Sequence, residues 1–379
     1  MRLHLERFID RARFNVFKDD IFDTRVAQQL GKINKNGSQV MAWDDKKKLD
    51  LFVVWANYAQ KSIPVARKHG AKIILESGSC HIKTQQKLLE TEYARWGVNF
   101  KPIDQRTIDK MCAEYEAADY IMTLSSFARQ SFIDQGVPAG KVLMVPCGVD
   151  LVKNGNLGIY AKPFETVLRT SSGRAQTQSP LVLRSDSTNR VSKDLMKTPK
   201  APEKFRVIFV GLVTLRKGVQ YLIEAWDAAN LPQANTELII VGNEQKDFLS
   251  IKAQLPITSN IIFAGSMSKT KLNELYASSS LFVLPSIEDG FGMVIGEAMG
   301  HGMPVICSTN TAGPDLITDG IEGWVVPPAD KIALSEKIAW CYSNQDKAAQ
   351  MGLSAQQKIQ SFNWDTYGAR VWEVYKKLV

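Results

Sequence analysis

Apolar runs of strand length alternate with stretches of helical periodicity through most of this chain. The runs at residues 205–210 and 281–284 are each followed by a glycine-containing turn, and the second turn occupies residues 289–292. After the turns, residues 219–229 and 293–299 repeat their apolar positions with the spacing of a helix. Strands that alternate with helices predict a parallel sheet covered on both faces, which is an α/β fold.

The same alternation continues on both sides of these segments. Further strands are predicted at residues 51–54, 72–75, 120–124, 142–145, 237–241, 260–264 and 304–306. Further helices are predicted at residues 62–68, 84–96, 108–117, 127–135, 247–254 and 269–277. Near the C-terminus, an amphipathic helix is predicted from the spacing of Trp364, Tyr367, Val371, Trp372 and Val374.

A polar segment separates the two α/β halves. Residues 151–204 contain many serines, threonines and prolines and little periodicity, so they are expected to form a linker or insertion between domains at 1–150 and 205–360. A final helical segment follows at 361–379. The stretch 151–206 holds 11 lysines and arginines against 4 acids, so most of the chain's net charge of +8 lies there.

The position of this charge bears on possible partners. A basic linker is either a solvated tether or a peripheral contact with anionic lipid headgroups. The second alternative predicts salt-dependent binding to liposomes. Because the charge is dispersed along a linker, a nucleic-acid partner is not expected.

Composition narrows the function further. A chain of 379 residues with 45% hydrophobic residues can form two cores. The polar N-terminus is unlike a signal peptide, and the five cysteines form no CxxC pair, so a cytoplasmic location is expected. Four histidines and no Asp-x-Asp argue against a metal site, and the lack of GxGxxG after a strand argues against a nicotinamide enzyme.

The turn at 289–292 and the helix after it indicate an anion site. A helix that begins directly after a glycine turn presents unpaired N–H groups and the positive end of its dipole, which favour phosphate. Asp289 precedes this helix and Glu297 lies within it. Carboxylates do not bind phosphate directly, so they are expected to accept hydrogen bonds from sugar and ribose hydroxyls. The alternative is that Asp289 caps the helix and Glu297 is solvated.

A cationic pair stands after the earlier strand. Gly211 ends the strand at 205–210, and Arg216, Lys217 and Gly218 precede the next helix. Such a pair could neutralise the diphosphate leaving group of a nucleotide sugar. The alternative is a solvated loop.

Together these two motifs resemble the donor site of the retaining glycosyltransferases of family 4, whose B-type fold has two Rossmann-like domains facing across a cleft. The resemblance implies that Asp289, where the family usually has glutamate, contacts the transferred sugar and that Glu297 contacts the ribose. Lys217 matches a diphosphate contact. Arg216 would substitute for a family arginine at the position of Leu212. The implied backbone contacts to the diphosphate come from Gly211, Gly290, Phe291, Gly292 and Met293. The resemblance also implies that the helical segment at 361–379 crosses back to pack on the first domain.

Two further loops carry weaker resemblances. Gly265 and Met267 resemble the family's loop that binds the nucleotide base, although a glycine after a strand is often only a turn. Residues 76–86 resemble a loop at the active cleft. His81 within it would touch donor or acceptor, or else be a surface histidine.

The resemblance implies a retaining, metal-independent glycosyltransferase that needs no cofactor. It would transfer a sugar from a nucleotide diphosphate sugar to a saccharide or lipid-linked hydroxyl, in the cytoplasm or at the inner face of the membrane. The family's first strand and glycine-rich loop have no counterpart in the opening residues, so the first domain is expected to lack or replace that unit. Alternatives are a non-catalytic nucleotide-binding relative and a nucleotide-sugar epimerase of the same fold.

Overall fold

The computed structural model describes residues 51–99, 103–150 and 204–378, together with two short strands between the last two ranges. The expected absence of a first strand-loop unit concerns residues outside these ranges. Nearly all of the basic linker also lies outside these ranges, and so does the segment to which its alternative role at a membrane was assigned.

Four parallel strands form the first sheet, in the order β1-β2-β3-β4. These strands are β1 (Leu51–Trp55), β2 (Lys72–Ser77), β3 (Tyr120–Thr123) and β4 (Val142–Met144). The helices of this half are α1 (Ser62–Lys68), α2 (Ile82–Arg95), α3 (Gln105–Ala117) and α4 (Ser126–Asp134). A short antiparallel pair follows, β5 (Val152–Lys153) and β6 (Asn156–Leu157).

Six parallel strands form the second sheet, in the order β12-β11-β10-β7-β8-β9. They are β7 (Phe205–Val210), β8 (Thr236–Val241), β9 (Ile261–Gly265), β10 (Leu281–Leu284), β11 (Val305–Ser308) and β12 (Gly323–Val326). The helices after β7 are α5 (Val219–Ala228), α6 (Lys246–Ile251), α7 (Lys269–Ala277), α8 (Met293–Gly300), α9 (Gly313–Leu316), α10 (Lys331–Ser343), α11 (Gln345–Ile359) and α12 (Trp364–Lys376).

The strand order of the second sheet contains a reversal. The chain moves outward from β7 through β8 to β9 and then returns to the other side of β7 as β10. The loops that follow β7 and β10 therefore leave the same edge of the sheet in opposite directions. Ligands of open α/β sheets bind in the crevice at such a switch point.

The predicted α/β fold with two Rossmann-like units is confirmed, and several predicted elements agree with the structure to the residue. Examples are the strand at 205–210 and the helix at 269–277. The helix predicted at 84–96 begins earlier, at Ile82, because Nδ1 of His81 accepts a hydrogen bond from the Lys83 N–H and caps it. Beyond residue 308, β12, α9, α10 and α11 had no counterpart among the predicted elements.

The last helix lies against the first sheet, although its sequence follows the second. Tyr367 and Val371 of α12 share a buried cluster with Ile74, Met122 and Val145. The Tyr375 hydroxyl donates to the Glu76 carboxylate at 3.1 Å. This helix therefore ties the end of the chain to the first half.

The described residues contain neither a membrane-spanning helix nor a cluster of metal ligands. In those ranges, no helix is both long and apolar enough to cross a membrane. The same residues contain no group of three or more histidine, cysteine, aspartate or glutamate side chains placed to hold a metal ion.

Candidate active site

The candidate site lies where the loop after β7 meets the loop after β10. Gly218 has a left-handed φ of 71°, and a Cβ atom there would stand 2.0 Å from the Pro285 carbonyl oxygen. The Ile287 N–H donates to the carbonyl of Arg216 at 2.9 Å. Glycine is therefore required at position 218 for these loops to approach each other.

Lys217 and Asp289 form an ion pair across this junction. Their side chains are only 12% and 17% exposed, so the solvated-loop alternative for Lys217 is wrong. Burial lowers the pKa of Lys217, while the negative charge of Asp289 opposes that shift. The alternative role of Asp289 as a helix cap is also wrong, because Gly292 is the N-cap of α8 and no side chain caps that helix.

Arg216 and Glu288, which directly precede Lys217 and Asp289, form a second ion pair. Nη1 of Arg216 lies 3.0 Å from Oε2 of Glu288, and the Glu288 side chain is fully buried. Glu288 was not among the residues predicted from the sequence. The available signal was an ionisable residue directly before Asp289, within a stretch whose other positions are mostly apolar.

Glu297 lies on α8 and has two partners in the second domain. Its Oε1 accepts from Nζ of Lys269 at 2.6 Å, and its Oε2 accepts from the Tyr276 hydroxyl at 3.3 Å. The Glu297 side chain is 18% exposed, so the solvated alternative does not describe it. The carboxylate is held in place but still reaches solvent.

The backbone between the two acids forms the start of α8. Gly292 has a φ of 77°, which lets the chain turn directly into the helix at Met293. The Phe291 ring is buried, and its carbonyl accepts from the Ala312 N–H at 2.9 Å. Phe291 can therefore offer a ligand only its backbone, as the resemblance implies.

The other predicted donor contacts lie at the ends of β7 and β9. A Cβ atom on Gly242 would stand 1.8 Å from the Gly211 carbonyl oxygen, so the loops after β7 and β8 touch through glycine. The Gly242 N–H donates to the Gly265 carbonyl at 2.9 Å. Met267 packs partly buried against the core of this domain. Gly265 thus ends a strand two positions away from β7, on the side opposite β10.

The first domain contacts the loop after β10 directly. A Cβ atom on Gly290 would stand 2.0 Å from the Gly78 carbonyl oxygen and 2.6 Å from Cα of Ser79. The Ser125 hydroxyl donates to the Gly290 carbonyl at 2.6 Å. This contact joins the predicted sugar-binding loop to residues of the 76–86 loop.

His81 lies in the same first-domain loop, and the surface alternative for it is wrong. Its side chain is buried between the rings of Tyr115 and Phe132, whose centroids are 4.9 and 5.1 Å away. Burial and, to a smaller extent, the charge of Lys83 lower the pKa of His81 to about 4. At neutral pH the imidazole is uncharged, and Nδ1 accepts the Lys83 N–H.

Comparison with known proteins relates part of this chain to glycosyltransferases. Residues 192–358 match the family model described as glycosyl transferases group 1, and this range includes both loops of the switch point. The sulfoquinovosyl transferase of Arabidopsis thaliana is 27% identical over 190 residues, which are 47% of this chain and 36% of that protein. An uncharacterized glycosyltransferase of Methanocaldococcus jannaschii is 30% identical over 178 residues, 45% of this chain and 44% of that protein. The matched segment spans less than half the length of either relative.

Solved structures match over more of the chain. HepE of Anabaena, solved with UDP-glucose, has a TM-score of 0.59 and 17% identity over 93% of this chain and 82% of that one. Sucrose-phosphate synthase of Thermosynechococcus elongatus has a TM-score of 0.61 and 18% identity over 98% of this chain and 80% of that one. The fold is that of the B-type glycosyltransferases. In this B-type chain, the contact between Gly290 and Gly78 is where the two domains meet beside the switch point.

Proposed function

We propose that this chain is a retaining, metal-independent glycosyltransferase that moves a sugar from a nucleotide diphosphate sugar to a hydroxyl of a saccharide or lipid-linked acceptor. The observation that carries the proposal is the partly buried pair of Lys217 and Asp289 at the switch point, beside the start of α8. The cation would bind the diphosphate of such a donor, and the acid would accept hydrogen bonds from the sugar hydroxyls. The helix N-terminus would stabilise the negative charge that develops as the diphosphate leaves.

The ion pair explains how one site can accept both phosphate and sugar. A donor diphosphate would replace Asp289 as the ionic partner of Lys217. The Asp289 carboxylate would then be free to accept hydrogen bonds from hydroxyls of the transferred sugar. Arg216 and the N–H groups at Gly292 and Met293 would share the remaining negative charge. These groups supply positive charge where a divalent ion would otherwise be needed, and this supports the metal-independent assignment.

Glu297 would hold the ribose. Lys269 and Tyr276 fix its carboxylate, and its partial exposure leaves lone pairs for the two ribose hydroxyls. Gly265 and the backbone near Met267 are proposed to contact the base. They lie at the end of β9 and just after it, and β8 separates β9 from β7 in the sheet.

Transfer with retention would proceed on one face of the sugar. The acceptor hydroxyl oxygen bonds to the anomeric carbon as the bond from that carbon to the diphosphate oxygen breaks, and the acceptor proton passes to the departing phosphate. The first domain supplies the acceptor side. His81 is uncharged at neutral pH and would contact donor or acceptor as a hydrogen-bonding group.

Calorimetry of the chain with UDP, GDP and ADP tests the donor site. We expect micromolar binding of one of them and a loss of about tenfold or more in E297A, since hydrogen bonds to a charged group contribute roughly 1.5 to 3 kcal/mol. E336A, which changes an exposed glutamate on α10, should bind like the wild type.

The matching nucleotide sugar, with an acceptor panel and a chelator present, tests transfer, and NMR of the product reports the anomeric configuration. Binding without transfer would favour the non-catalytic alternative. Failure to bind any of the three diphosphates would contradict the proposal.

A further inference from the structure

The two domains share a buried carboxylate at Glu288. Its Oε2 accepts from Nη1 of Arg216 at 3.0 Å and from Nε2 of Gln85 on α2 at 2.8 Å. One partner comes from the loop after β7, and the other comes from the first domain. A single carboxylate oxygen therefore joins the cationic loop, the loop after β10 and helix α2.

A buried glutamate at position 288 is unfavourable for the stability of the fold. Its side chain has no exposed surface, and beyond Arg216 and Gln85 the donor beside it is the Cys80 thiol, which is a weak one. Burying a charged group costs free energy that such pairing often does not recover, and apolar side chains often serve stability better. Stability alone therefore does not account for a glutamate here.

Arg216 is the cation in direct contact with Glu288, and the charge of Glu288 also acts on the neighbouring Lys217. The Cys80 thiol lies close by in the 76–86 loop, and burial raises its pKa. The negative charge of Glu288 raises that pKa further, so the thiol remains protonated and neutral. The direct ion pair of Glu288 is therefore the one with the guanidinium of Arg216.

Arg216 is held on one side only. Of the three guanidinium nitrogens of Arg216, only Nη1 has a hydrogen-bond partner among the described residues. The Arg216 side chain is 32% exposed. Its carbonyl accepts from the Ile287 N–H at 2.9 Å, which also fixes its backbone. Because a guanidinium is planar and rigid, fixing Nη1 also orients the remaining N–H groups.

We propose that Glu288 is a positioning residue that holds the free edge of Arg216 toward the diphosphate and, through Gln85, holds the first domain against the donor loop. The proposal rests on the proposed function. It adds a residue that touches no substrate and explains how Arg216 acts from a position different from that of the family arginine, which Leu212 replaces.

The test uses the preference of the full chain for a nucleoside diphosphate over its monophosphate, measured by calorimetry with UDP and UMP, GDP and GMP, and ADP and AMP. In E288Q we expect this preference to fall about tenfold, because Arg216 loses its charged partner, while monophosphate binding stays unchanged. R216A should lose as much, and the double variant should lose no more than either single one. Q85A should keep the preference but lower the turnover number.

E322Q is the matched control. Glu322 is also a buried glutamate with a cationic partner, Lys358 at 3.1 Å, but it lies at the amino end of β12, away from the switch point. Its diphosphate preference should equal that of the wild type. Thermal unfolding of each variant reports any general loss of structure.

The outcomes separate the two proposals. A wild-type chain that binds none of the diphosphates overturns both. A wild-type chain that binds one of them, with an unchanged preference in E288Q or the same loss in E322Q, overturns the role of Glu288 alone. If E288Q does not fold, R216A decides, and an unchanged preference in that variant overturns the proposal.

Discussion

The two walls of the cleft differ in chemistry. The second-domain wall carries three pairs of a cation and an acid: Lys217 with Asp289, Arg216 with Glu288, and Lys269 with Glu297. At the loop after β10, the first domain contributes the Gly78 carbonyl, the Ser125 hydroxyl and the Gln85 amide, which are neutral. Its charged contacts with the second domain, Glu92 and Arg95, are made with Gln220 and Tyr221 of α5. At this loop the charged side chains thus come from the second domain, while the first domain sets the distance between the walls.

The paired arrangement also prepares the charged wall for exchange. The Lys217 side chain is only 12% exposed, so water weakens its attraction to an anion less than it would at the surface. Asp289 is the partner of that cation. Under the proposed function, a phosphate with more negative charge than one carboxylate would displace Asp289, and the released carboxylate would lie beside the bound sugar.

The largest expected effect comes from removing the central cation. K217A should lower kcat by about 10²- to 10³-fold, the range found when a group that stabilises developing negative charge is lost. Initial rates with a saturating nucleotide sugar measure this. K331A is the control, since Lys331 makes a surface pair with Glu224 at 2.9 Å and should leave the rate unchanged. A K217A rate close to wild type would remove Lys217 from the catalytic site.

The spacing between the walls can be changed without altering charge. In G290A the new methyl group would stand 2.0 Å from the Gly78 carbonyl oxygen, so the walls must separate. We expect transfer to fall by up to about 100-fold, because a displacement of about 1 Å can cost that much, while binding of the nucleoside diphosphate is largely retained. G300A is the control, as a Cβ atom there meets no atom within 4 Å. An equal loss of binding and transfer in G290A would contradict the division of roles.

The smallest expected effect concerns two histidines, the buried His81 of the first domain and the half-buried His301 of the second. Burial lowers the pKa of His81 and of His301 to about 4, from an ordinary value of 6.5. The unfolded chain therefore binds more protons between these pH values, and stability should fall as pH drops from 6.5 toward 4. Below about 4 both states are protonated, and this contribution stays lost.

Replacing either histidine should flatten that dependence. H81N retains a side chain that can cap α2, and H301N removes the ring that stacks on Tyr276 at 5.1 Å. Each variant should lose up to about one proton from the pH dependence of unfolding between pH 6.5 and 4. Urea unfolding at several pH values measures the slope. Slopes parallel to that of the wild type would show that these histidines titrate normally.

Local sequence patterns determined a large part of the fold. Apolar periodicity located β7 and α7 to the residue, because a strand or helix must bury one face and its period shows which. Turn glycines marked where strands end, and Gly218 and Gly292 do adopt left-handed backbone conformations. Boundaries set by side-chain caps were less accurate: Asp104 accepts from the Arg106 N–H, so α3 begins at Gln105 and not at 108.

Only the tertiary structure decided which of these elements are neighbours. Lys217 and Asp289 are 72 residues apart and meet because β10 lies beside β7. Periodicity shows that a strand is buried but not which strand it pairs with, since parallel pairing depends on contacts distant in sequence. The burial of Glu288 has the same origin: its partner Gln85 is 203 residues away in the other domain, and no local pattern records that contact.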